Sequence, residues 1–152
     1  MSTSDLAARQ QLLDGLAAAA DQLGRALAWL GAAYELLDEQ QGDRLEEELF
    51  RPVQLAYGRA KSAHTGFAGR HGLPGREFTM PEPGLPSTGV RGFVEQAVEA
   101  VDRAEHELVA LQESSLALEV GDVEFRAGVT QVRQTIDGLD QHARAFVRTF
   151  GR

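Results

Sequence analysis

Apolar residues return at every third or fourth position in this chain, in four separate runs. The first is Leu13, Leu16, Ala20, Leu23, Leu27, Leu30, Tyr34 and Leu37, with Leu6 one heptad upstream. The second is Leu49, Val53, Ala56, Ala60, Ala63 and Phe67. The third runs from Val90 through Val94, Ala97, Val101, Ala104, Leu108 and Leu111 to Leu118, and the fourth from Phe125 through Val129, Val132, Ile136, Leu139, Ala143 and Phe146 to Phe150. Steps of three and four average close to one helical turn, so each run lies on one stripe of a helix and must be covered by another. Nothing alternates with period two for long. The pattern predicts an all-α fold, an antiparallel four-helix bundle in up-and-down order.

Capping residues set the expected boundaries. Ser4 opens the first helix, Gly42 ends it and Asp43 caps the second. Gly72 closes the second, Ser87 or Thr88 opens the third, and Asp122 caps the fourth. These signals predict helices near 4–40, 43–71, 88–118 and 122–150 in one domain, 1–152. Pro52 should kink the second helix or mark its true first turn. Residues 72–89 hold four of the five prolines and form a Pro/Gly-rich loop between helices 2 and 3. Loops this long are uncommon unless functional or disordered. Leu73, Phe78, Met80 and Leu85 suggest that this one packs. Extended, it reaches roughly 55 Å at about 3.1 Å per residue. A helix of about 28 residues is roughly 42 Å long. The loop can therefore stay at one end, or run the length of the bundle and make helices 2 and 3 parallel; simple up-and-down order is the expectation.

The 152 residues suffice for one core without staples. No cysteine is present, which excludes disulfides and thiolate metal sites and fits a cytoplasmic protein. No signal peptide is visible at the start, and Arg25 and Glu35 interrupt the longest apolar stretch, so no membrane association is expected. A net charge of −8 argues against general nucleic-acid binding.

The first helix carries more apolar surface than one seam needs. Ala19, Ala26 and Ala33 lie on one flank, Ala17, Gly24 and Gly31 on the other, and Trp29 and Leu36 fall outside the seam. Phe50, Tyr57 and His64 form a similar flank on the second helix. Such rows widen a core, form a self-association surface through Trp29, Ala33 and Leu36, or line a ligand groove. Gly24 and Gly31 read as close-packing positions.

Catalytic signatures are sparse. There is no Glu-x-x-His of di-iron bundles and no His-Glu-x-x-His; Glu95, Glu99, Asp102 and His106 fall on the face opposite the seam. No cofactor or metal is expected. The segment Arg59-Ala-Lys-Ser-Ala-His64 resembles the Arg-x4-His spacing of helical HEPN ribonucleases over six residues, with Ala60 where a polar residue often follows the arginine. That resemblance implies a dimer with Arg59 and His64 paired across an RNA-cutting cleft.

Charge placement says more. Up-and-down order would gather Arg70, His71, Arg76, Arg91 and Arg148 at one end beside the loop, with Asp38, Asp43, Glu46, Glu47 and Glu48 at the other. Arginine suits bidentate contacts to carboxylate or phosphate, so the basic end is a candidate site for an anionic ligand or acidic partner. The expectation is a non-enzymatic interaction or scaffold bundle, homodimeric through helix 1. A HEPN-like ribonuclease and a small-anion binder are the alternatives.

Overall fold

The computed structural model describes residues 3–83 and 89–150. Among them all regular structure is helical: α1 (Thr3–Tyr34), α2 (Glu39–Leu45), α3 (Arg51–Arg70), α4 (Gly89–Glu113), α5 (Ser115–Glu119), α6 (Val123–Ile136) and α7 (Leu139–Phe150). A π-helical turn, Glu46–Phe50, joins α2 to α3. The five longer helices, α1, α3, α4, α6 and α7, pack together. The seams form the core: Leu13, Leu23, Val53, Ala60, Leu108, Val129 and Phe146 are all buried. Four seam positions near helix ends do not join it: Leu6, Tyr34, Leu118 and Phe150 remain exposed. No helix of the described residues is long and apolar enough to cross a membrane.

Several boundaries differ from the sequence expectation, for local reasons. The first helix is helical already at Thr3 and stops at Tyr34 rather than near 40. The N–H groups of Leu36 and Leu37 bond back to Ala33 and Tyr34, which tightens the chain into a turn. Asp38 is extended and accepts from Gln41 N–H at 2.8 Å, so Asp38, not Asp43, caps the next helix. Gly42 is not a stop. It lies inside α2, where an added Cβ would come within 3.1 Å of the Tyr34 ring. Pro52 falls just after the π turn, in the first turn of α3, where its missing N–H is tolerated. The helix expected over 122–150 is two helices. Asp137 turns extended and Gly138 adopts a φ of +78°, a left-handed conformation in which glycine has no Cβ penalty. Asp122 does cap α6, accepting from Phe125 N–H at 2.7 Å, and Gly72 follows α3 with a φ of +65°. Ser87 and Thr88, the expected caps of the third helix, lie outside the described residues, as does Leu85.

Paired residues give the chain order. Arg9 donates to Val120 O, Gly15 meets Leu111, and Trp29 packs on Phe93, so α1 and α4 run in opposite senses. Tyr34 meets Gly42 and Tyr57 meets Gly24, which opposes α1 to α3. Arg59 reaches Thr135, Ala63 meets Gly128 and Arg70 bonds Asp122, which opposes α3 to α6. The end of α3 therefore lies with the end of α4, and α3 and α4 point the same way. This corrects the up-and-down expectation. The described part of the connection, residues 72–83, begins at the Asp122 end: Leu73 N–H bonds Ala68 O, Arg76 pairs with Asp21 and Phe78 lies on His64. Short links and a long one leave the same heptad seams in the sequence, so the seam could not choose between them.

Candidate functional site

The change of order takes the expected basic end apart. Arg70 and His71, at the end of α3, hold Asp122. Arg70 Nε and Nη2 donate to the two carboxylate oxygens at 2.7 and 2.9 Å, and His71 Nε2 lies 2.9 Å from Oδ2. Partial burial alone would raise the Asp122 carboxyl. The Arg70 fork, the Phe125 N–H and His71 together outweigh burial and hold it well below the usual carboxylate range. This is a clasp that fixes the start of α6 to the end of α3. Arg76 leaves the end altogether and pairs with Asp21 in the middle of α1 at 2.8 Å.

Arg91 and Arg148 lie at the opposite end, and there they meet. Together with Arg144 they line a groove of about 790 Å³ between α4 and α7. Its floor is apolar: Val94 and Ala143 are buried, Val98 and Val147 half-buried. Glu95, Glu99 and Asp140 border it as well. Arg144 is tied to Asp140 one turn earlier, and Glu99 lies near Arg103. Arg91 and Arg148 make no hydrogen bond or ion pair with any described residue and are exposed. The groove owes its shape to the Gly138 break, which lets α7 leave the α6 line and stand against the first half of α4. Volumes of this size are ordinary for small-ligand sites.

The other expected positions are placed differently. Ala33 is fully buried, and Trp29 is half-buried with its ring 5.6 Å from Phe93 of α4, so both serve the core. Leu36 alone of that trio is exposed, at 55%. Gly24 does sit close to a neighbour, 3.3 Å from the Tyr57 ring, whereas Gly31 has nothing within 4 Å and is not a close-packing position. Arg59 points to α6, donating to Thr135 Oγ1 at 2.7 Å, while His64 is 3% exposed beneath Phe78 on another side of α3. Five residues turn a helix by about 500°, which leaves the two side chains far apart around the axis. The chain by itself does not converge them on one cleft. Among the described residues no three His, Asp or Glu side chains gather as a metal site.

The sequence named the arginines but not what surrounds them. Asp122 was legible as a cap and not as the partner of Arg70. The Val98 and Val147 floor was missed because both lie one step off the seam. Their signal was being apolar directly beside a seam residue, Ala97 and Phe146 respectively. No protein-family model, curated protein or solved structure matches this chain.

Proposed function

We propose that this protein is a non-enzymatic binding bundle that holds an anionic ligand with an apolar body in the α4/α7 groove. The carrying observation is the pair Arg91 and Arg148, without partners among the described residues, beside a floor of Val94, Val98, Ala143 and Val147. Guanidinium forks are suited to a carboxylate or phosphate head, and the valines to an aliphatic or aromatic body. Arg91 adds a second argument. It stands in the first turn of α4, where a cation opposes the helix dipole, so helix stability does not account for it. In this reading the architecture is an antiparallel four-helix bundle, with α6 and α7 as its broken fourth member and the loop as its crossover. We place its work in the cytoplasm, in keeping with a chain without cysteine.

A thermal-shift panel of alkyl phosphates, alkyl carboxylates, nucleotides and polyphosphates tests the reading. A ligand at a hundred times its Kd stabilises by about 2.7 kcal/mol. Anions with an apolar body should raise Tm, polyphosphate should do so less, and Arg91→Glu and Arg148→Glu should each abolish the shift. A shift that survives both substitutions, or no shift from any member, rejects the groove.

Self-association is the companion reading, and of the three residues first expected it keeps only Leu36. Tyr34, the last residue of α1, and Leu36 just beyond it are 44% and 55% exposed and are the apolar pair left open there. Sedimentation should show a dimer that Leu36→Asp weakens. A monomer at high concentration ends that reading without touching the groove.

A further inference from the structure

His64 is buried to all but 3% of its surface, and its Nδ1 has no hydrogen-bond partner. A buried polar atom without a partner is uncommon and calls for an explanation. Its cover is a strap rather than a helix. The Phe78 ring stands edge-on to the imidazole, 5.2 Å between centroids at 84°. The Arg76 guanidinium lies 4.6 Å from the Phe78 ring centre, and Arg76 pairs with Asp21. Leu73 N–H makes the one backbone bond from residues 73–83 to the described helices, to Ala68 O at 2.9 Å. The Arg76–Asp21 pair has both side chains more than 40% exposed, so it is a weak anchor.

We propose that residues 73–78 form a pH-sensitive strap, closed over neutral His64 and released when that imidazole takes up a proton. The groups facing His64 decide what moves. From α1 come Asp14 and Asp21, from the strap comes Arg76, and on α3 itself Lys61 is turned onto the Tyr57 ring, 4.2 Å from its centre. A charged imidazole is attracted to α1 and repelled by Arg76. The repelled partner belongs to the segment with the fewest bonds, so the strap leaves while α1 and α3 stay packed. Burial first, and Arg76 second, hold the His64 pKa below 6.5 in the closed form, against the pull of Asp14 and Asp21. The open form therefore binds the proton more tightly. The strap is fully held above about pH 6.5 and loosens as pH falls below it, by at most about tenfold per pH unit.

Hydrogen exchange of peptides from 73–83, corrected for intrinsic rates, tests this between pH 8 and 5.5. Opening in the wild type should be flat above about pH 6.5 and rise below it by up to about tenfold per unit. An α6 peptide should not follow. His64→Phe keeps a ring under Phe78 and should remove the rise. A flat wild-type profile, or the same rise in His64→Phe, overturns the proposal. Should His64→Phe lose its helical circular dichroism, the wild-type imidazole titration followed by NMR decides instead. Support is a His64 midpoint below 6.5 with the Phe78 and Leu73 signals moving at that midpoint. A midpoint at or above 6.5, or strap signals that stay still, overturns it.

Discussion

Arg70 and Arg148 carry the same guanidinium, and each stands in the last turn of its helix. Arg70 is engaged: two of its nitrogens bond one carboxylate, and that carboxylate also caps α6 and meets His71. Arg148 lines a groove with an apolar floor and bonds nothing described. Charge and helix position are thus poor guides to what an arginine is for. The partner decides, and the partner is set by which helix ends the connection brings together. The clasp ties two helix ends together, and the groove keeps two arginines without a partner among the described residues.

The largest test of that contrast is Asp122→Ala. It removes the α6 cap and leaves Arg70 and His71 without their acceptor. A lost cap and a lost bidentate ion pair together should cost about 2 kcal/mol. In a chain of this length that is a fall in Tm of roughly 4–8 °C, read by calorimetry. A loss under about 0.5 kcal/mol would put Asp122 among ordinary surface positions and break the contrast from the clasp side.

Acid should undo the same clasp. The Asp122 carboxyl is depressed in the folded protein, so its contribution is complete above the unfolded value near 4 and fades as pH falls below that. Denaturant midpoints between pH 6 and 3 should fall in the wild type. Asp122→Asn can still cap the helix but cannot titrate, and should flatten part of that fall. Equal slopes would mean that other carboxylates carry the acid response.

Gly138→Ala comes next. A φ of +78° disfavours any side chain, so the substitution should cost about 1 kcal/mol, by denaturant titration. It also strains the break that sets α7 against α4. If the groove binds as proposed, this variant should lose part of the ligand-induced Tm shift, although residue 138 lies outside the floor. A full shift in a destabilised variant would separate the break from the groove.

The contrast was only half legible in the sequence. Val53, Leu108 and Phe146 declared helices and a core because heptad spacing is local and burial follows from it. Asp122 declared a helix start for the same reason. The meeting of Arg70 with Asp122 depended on the long connection, whose reach allowed both orders, whereas the nearness of Arg91 and Arg148 followed from the short link before Asp122 in either order. One clue was present. Phe50, Tyr57 and His64 make an apolar flank on the helix before the loop, and Leu73 and Phe78 in the loop are what a flank of that kind needs for cover. Tyr57 and His64 are indeed buried and Phe78 lies on His64, so residues 73–78 double back along the helices instead of crossing their ends.

The smallest expected effects sharpen the contrast most. Arg148 lies where a cation favours its helix, a term of about 0.3–1 kcal/mol, so Arg148→Ala should destabilise by about 0.5 kcal/mol or less. Arg91 lies in the first turn of α4, where the same dipole disfavours it. Arg91→Ala should therefore leave stability unchanged or raise it by a few tenths of a kcal/mol. Paired denaturant titrations at low and moderate salt can resolve the signs, since screening shrinks a dipole term. If Arg91→Ala destabilises as strongly as Asp122→Ala, Arg91 is a structural residue with a partner in the fold, and the groove loses one of its two free cations. If it stabilises while abolishing the ligand shift, the chain keeps at that position a residue its own helix does not favour, and binding is the reason.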